Sequence, residues 1–110
     1  MIRGTTPTLV LVLDDVDLTG QTFEVYLRGL KNGQLFCWDN SMDNVSLHDV
    51  TQGTSTVYVD LSQEDTLKLE VGKAEVQVRF INHAGVALAT NVVLVDVDKI
   101  LKDSEIEYAG

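Results

Sequence analysis

The sequence holds one cysteine and one proline in 110 residues, and aromatic residues make up only 6% of it. Cys37 has no second cysteine to pair with, so stability must come from packing, as expected of a protein made in a reducing cytosol. The longest aliphatic run, residues 9–13, is far shorter than the roughly 20 residues of a membrane-spanning helix. A disulfide scaffold is therefore excluded, and we expect no membrane partner.

Basic residues are scarce as well, since eight Lys and Arg stand against 17 Asp and Glu to give a net charge of -9. Nucleic-acid binding depends on clustered Lys and Arg that release counterions from phosphates, and here the basic residues are scattered. The acidic excess also repels anionic lipid surfaces. We expect neither nucleic acid nor membrane as a partner.

Three segments alternate between apolar and polar residues, which is the period of a β-strand with one face in water. They are residues 22–28, 56–61 and 75–80. In the first, Phe23, Val25 and Leu27 are the inward residues. This pattern is typical of antiparallel sheets.

Two further segments, residues 8–13 and 92–97, are apolar at almost every position, which favours strands covered on one face by the core and on the other by a partner or loop. A buried helix is the alternative, although five or six residues is short for one. Shorter candidates are residues 34–38 and 45–50. Within residues 34–38, Cys37 either lies in the core or alternates outward. Turn signals separate the candidates at fairly regular spacing.

One segment departs from the strand pattern, because residues 62–67 predict a helical turn with Ser62 as N-cap and Asp65 closing a capping box. About seven strands with one short helical turn near 62–67 predict an all-β fold, an antiparallel two-sheet sandwich of immunoglobulin-like architecture. A closed barrel is the alternative. We assign residues 1–97 to this β-sandwich domain and residues 98–110 to a C-terminal tail.

Catalytic and metal-binding motifs are not found in the sequence. Residues 14–17 and 39–44 are rich in side-chain oxygens but lack the ligand spacing of an EF-hand, so solvated loops are favoured over a loose calcium site. His48 and His83 have no partners at zinc-site spacing. Phosphate loops, nucleophile elbows and dinucleotide fingerprints are missing. We predict no metal, no cofactor and no enzymatic activity.

Four apolar or aromatic residues are candidates for partner binding. Tyr26 and Tyr58 fall on outward strand faces, where they form either a cross-strand pair or an aromatic platform for a ligand such as a carbohydrate. Ile106 and Tyr108 lie in the C-terminal tail, which is richer in apolar residues than a plain disordered tail. They are expected to contact a neighbouring subunit, unless the tail folds back on the domain.

Several segments, in order along the chain, carry a resemblance that covers nearly its whole length. They are MIRGTTPT at 1–8, LSQEDTL at 61–67, VQVR at 76–79, GVALAT at 85–90, VDV at 95–97 and ILKD at 100–103. With these segments the chain resembles a family of short proteins encoded among the structural genes of bacteriophages and prophages of Gram-positive bacteria. More distantly, it resembles the β-sandwich amino-terminal domain of baseplate proteins in such phages. Residues 14–52 depart most from the family.

The resemblance implies a non-enzymatic, virion-associated structural or assembly protein of the tail or baseplate. It implies that the protein is synthesised in the host bacterial cytoplasm and is then incorporated into the virion. Its partners would be other phage structural proteins or further copies of itself. A β-sandwich module that binds carbohydrate or another ligand is the alternative function.

Overall fold

The computed structural model describes residues 1–51 and 53–107, the side chains of residues 49–51 excepted. Eight strands and one short helix lie within this part of the chain. In chain order they are β1 Thr8–Leu13, β2 Thr22–Gly29, β3 Leu35–Asp39, β4 Val45–Thr51, β5 Thr54–Asp60, α1 Gln63–Leu67, β6 Gly72–Ile81, β7 Ala87–Ala89 and β8 Val93–Val97.

The strands form two antiparallel sheets. One has the order β1-β5-β4, and the other has the order β3-β2-β6, with β7 and β8 both pairing to β6. The predicted all-β antiparallel sandwich is confirmed. The strand beyond the predicted seven is β7, whose two alanines give a weak strand signal in the sequence.

The likeness to immunoglobulin domains is one of architecture. In the immunoglobulin order, the second strand lies in the sheet of the first and fifth strands. Here β2 pairs with β3 and β6 in the other sheet. The β2–β3 connection is thus a hairpin within one sheet rather than a crossing between sheets.

Alternation along the strands fills the space between the sheets. Phe23, Val25 and Leu27 of β2 are buried, as the sequence pattern predicts. The inward residues of β5 and β6 meet them there, and Leu61 and Leu69 on either side of α1 close one end of the core. The buried set also includes Val57, Val59, Val76, Val78 and Phe80.

The helical turn forms where predicted. Ser62 is the N-cap of α1, and its hydroxyl accepts a hydrogen bond from the Asp65 backbone N–H at 3.1 Å. Thr66 is fully buried, and its hydroxyl accepts from the backbone N–H of Gly4 at 2.9 Å. The helix therefore fastens the amino-terminal segment that leads into β1.

The described chain does not itself cover both faces of residues 8–13 and 92–97, and their predicted cover by a partner stays a prediction. Val10 and Val12 point outward from β1 and are 55% and 61% exposed. Val93 and Leu94 point to opposite faces of β8, and each is 56% exposed. Both strands lie at the edge of their sheets, where a neighbour is present on one side only.

In the described part of the chain, α1 is the one helix, and it is far too short to cross a lipid bilayer.

Candidate functional site

Tyr26 and Tyr58 lie on different sheets. Tyr26 is in β2, opposite Cys37 and Gln77. Tyr58 is in β5, and its ring centroid lies 4.7 Å from that of His48. Because the outer faces of a sandwich point in opposite directions, the predicted cross-strand pair of these tyrosines is wrong. Strict alternation fixes which face a residue takes but not which sheet its strand joins.

The surface around Tyr26 is polar. The Cys37 thiol alternates outward and lies 3.5 Å from a Glu24 carboxylate oxygen. Partial burial, aided by Glu24, raises the pKa of both the Tyr26 hydroxyl and the Cys37 thiol. A reactive cysteine has a lowered pKa, and the shift at Cys37 runs in the opposite direction.

The C-terminal tail lies against α1 and the amino terminus over its described part. The side-chain amide of Gln63 pairs with the Ile106 backbone, accepting from its N–H at 2.7 Å and donating to its carbonyl at 3.1 Å. Arg3 donates to Asp103 at 2.5 Å. The Ile106 side chain remains 79% exposed. Tyr108, the other predicted contact residue of the tail, lies outside the described residues.

In the two acidic loops, carboxylates accept hydrogen bonds from residues close by in the sequence. Asp17 accepts from the Thr19 backbone N–H at 2.9 Å, and Asp39 accepts from Ser41; these bonds lower the pKa of both carboxyl groups. Among the described residues, His, Cys, Asp and Glu side chains do not form a group of three or more that could hold a metal ion.

A feature that the sequence analysis did not predict is an open apolar groove of about 760 Å³ between β1 and the strands β6, β7 and β8. Its origin is a difference in sheet width. β7 and β8 pair with successive parts of β6 and together occupy one strand position. The second sheet is therefore four strands wide, while the first is three strands wide. No described strand lies beside β1 to cover β7 and β8.

A bulge between β7 and β8 shapes the groove. Ala89 lies opposite Arg79, but Val93 lies opposite Val76, so the edge strand carries one residue more than β6 over this stretch. The extra residue keeps Leu88 and Val93 on the same face, toward the interior of the sandwich. These core-facing side chains are nevertheless 46% and 56% exposed.

The edge of β1 that borders the groove has free backbone groups. The Leu61 N–H donates to the Pro7 carbonyl at 3.0 Å, which sets the phase of the β1–β5 ladder. Since backbone groups alternate in direction along a strand, those of Thr8, Val10 and Val12 point away from β5. Within the described chain, β1 pairs with β5 alone.

The two stretches of sequence that border the groove contain no charged residue, and the first charged residue stands at the end of the groove. Residues 4–13 and 86–95 contain no charged side chain, although 23% of the sequence is charged. Asp14, directly after β1, lines the end of the groove. These two uncharged stretches are the sequence signal that could have located the groove. The opposite edge of the sandwich is closed, because Trp38 of β3 and Val45 of β4 are buried.

Comparison with known proteins leaves the groove as the main guide to function. Models of known protein families do not match this chain, and a search of curated proteins finds no relative of it.

Proposed function

We propose that this protein is a non-enzymatic structural component of a bacteriophage or prophage particle. It is made in the host cytoplasm and then built into the tail or baseplate. The observation that carries the proposal is the open groove, in which Leu88 and Val93 face the interior of the sandwich yet are half exposed. Exposed interior-facing residues favour an assembly in which another protein completes the fold.

The surface area of the chain supports an assembly role. Its accessible surface is 6904 Å². A folded monomer of this mass is expected to expose roughly 6,000 Å². The chain therefore exposes about 900 Å² more than this expectation. The exposed C-terminal tail contributes to this excess, and the groove contributes the apolar part that an interface requires.

The resemblance to proteins encoded among phage structural genes indicates that the assembly is a phage particle. Tail and baseplate components are built into a particle by protein contacts, which agrees with an apolar groove. The net charge of -9 keeps unassembled copies apart until a specific partner is met.

The particle itself provides the test. Tagged wild-type protein and the variants Leu88→Ser and Leu35→Ser are produced in the bacterial strain that carries the gene. Purified virions are then analysed by quantitative mass spectrometry. Leu35 is a matched control, because it is similarly exposed on β3 at the opposite edge.

We expect the wild type and Leu35→Ser in virions at equal copy number, and Leu88→Ser strongly depleted although it melts as the wild type does. Absence of the wild-type protein from purified particles would refute the proposed function. Full incorporation of Leu88→Ser would refute the role of the groove.

A carbohydrate-binding module is the second candidate function. The neighbouring rings of His48 and Tyr58, tilted by 37° on the outer face of the three-stranded sheet, favour it, since sugars bind to aromatic rings at protein surfaces. Glycan-array binding that Tyr58→Ala abolishes and Tyr26→Ala preserves would support this role. Array binding that neither substitution changes would contradict it.

A further inference from the structure

We infer that the groove binds one extended segment of a different protein, which adds to β1 as a fourth, antiparallel strand. The segment is uncharged along β1 and carries Lys or Arg at its amino-terminal end. The inference rests on the proposed assembly function and names the chemistry of the partner.

The backbone of β1 is suited to receive a strand. Its free edge presents the N–H and C=O groups of Thr8, Val10 and Val12, and an added strand would satisfy them. Natural edge strands are protected by Lys, Pro or a bulge. The segment Thr8–Leu13 contains none of these.

The side chains around this edge define the face pattern of the added strand. A strand beside β1 lies about 4.8 Å from it and therefore over β7 and β8. Its inward side chains would cover Leu88 and Val93. Its outward side chains would lie beside Val10 and Val12, whose exposure is otherwise unexplained. Both faces of the segment therefore meet apolar neighbours.

Charge places a basic residue at one end of the antiparallel segment. The chain leaves β1 at Asp14, which lines the groove, and Asp15 and Asp17 follow directly. An antiparallel strand has its amino-terminal end at this position. A Lys or Arg there meets the carboxylate of Asp14, whereas an acidic residue is repelled.

The β1 strand of a second copy does not fit as the occupant. If β1 of one copy paired with β1 of another, each four-strand-wide sheet would project under its partner's β1. The β7–β8 edge of one copy and β6 of the other would then require the same space. Each copy also carries a net charge of -9. The occupant is therefore a segment that lacks a sheet of its own.

Two peptides of equal composition test the inference. The first is acetyl-Lys-Thr-Val-Thr-Val-Thr-Val-Thr-amide, and the second is its reversed sequence, which places Lys at the other end. Binding to the full chain is measured by fluorescence anisotropy of labelled peptides, with Leu35→Ser as the control protein. We expect the first peptide to bind about fivefold more tightly, as one exposed ion pair allows. Asp14→Asn should abolish that preference.

Two variants then test the binding mode. Val10→Pro removes an N–H that points away from β5, so it should abolish binding while the β1–β5 ladder remains. Leu88→Lys leaves the backbone intact and places a charge in the groove, and it should abolish binding too. Melting curves verify that each variant is folded, and Leu88→Lys alone decides if Val10→Pro does not fold.

Equal binding of the two peptides, no binding of either, or full binding by Leu88→Lys would overturn the inference. So would a wild-type dimer in sedimentation that Val10→Pro dissociates, because the occupant would then be a second copy. Virions that contain the protein without any peptide binding would refute this inference alone. Peptide binding by a protein absent from virions would refute the proposed function alone.

Discussion

The buried hydroxyl of Thr66 offers a direct test of how the amino-terminal segment is fixed to the sandwich. It accepts from the Gly4 N–H at 2.9 Å and donates to the Thr5 carbonyl at 2.8 Å, with the Gln63 carbonyl a second, longer acceptor at 3.2 Å. Gly4 is itself buried and has a φ of +76°, which glycine adopts without strain. Thr66→Val keeps the shape of the side chain but removes every hydrogen bond of the hydroxyl.

The magnitude follows from the groups left without a partner. A buried donor that loses its acceptor costs about 1–3 kcal/mol, and we expect a loss near 2 kcal/mol for Thr66→Val. Unfolding entropy is roughly 2.1 cal/mol/K per residue. For this chain length, each kcal/mol therefore lowers Tm by about 4 °C, and the expected fall is about 9 °C.

Thermal and urea unfolding of Thr66→Val measure this loss. Thr22→Val is the matched control, since Thr22 is exposed at the start of β2 and its change should stay within about 0.5 kcal/mol. If Thr66→Val also stays within about 0.5 kcal/mol of the wild type, the hydroxyl does not hold the segment and the reasoning is refuted.

Three further outcomes are expected. Ser62→Ala should cost about 1 kcal/mol by loss of the N-cap, and an unchanged urea midpoint would remove Ser62 from that role. Millimolar Ca²⁺ should leave Tm unchanged, and a rise of several degrees that matched Mg²⁺ does not produce would reveal a calcium site. Deletion of residues 104–110 should preserve cooperative melting, because their described contact to the domain is the hydrogen-bonded pair with Gln63. Loss of that transition would make the C-terminal tail part of the core.

Much of the fold could be predicted from local patterns. Alternation gave the inward faces of β2, β5 and β6 because burial of one face imposes the two-residue period directly on the sequence. The N-cap of α1 was predictable because Ser62 acts on a backbone group only three residues away. These features depend on neighbours in the chain.

Features that depend on distant parts of the chain were not predictable. The pairing of Tyr26 and Tyr58 failed because the choice of sheet is made by strand order, which alternation does not encode. The strand β7 was missed because Ala87 and Ala89 carry little β propensity and are held by pairing with β6. The bulge before Val93 reverses which residues face inward, so even a correct strand assignment would have misplaced them.

The apolar runs at residues 8–13 and 92–97 combine a local sequence pattern with a dependence on distant contacts. The sequence predicts cover on both faces of each run, and within the described chain that cover is missing from Val10 and Val12. Exposed strands usually acquire polar residues on the wet face, as β2 does with Glu24 and Arg28. The chain is 23% charged, yet β1 contains no charged residue. This composition is typical of a strand that is covered on both faces. The mismatch between sequence and exposure therefore argues for a partner at this edge, independently of the groove geometry.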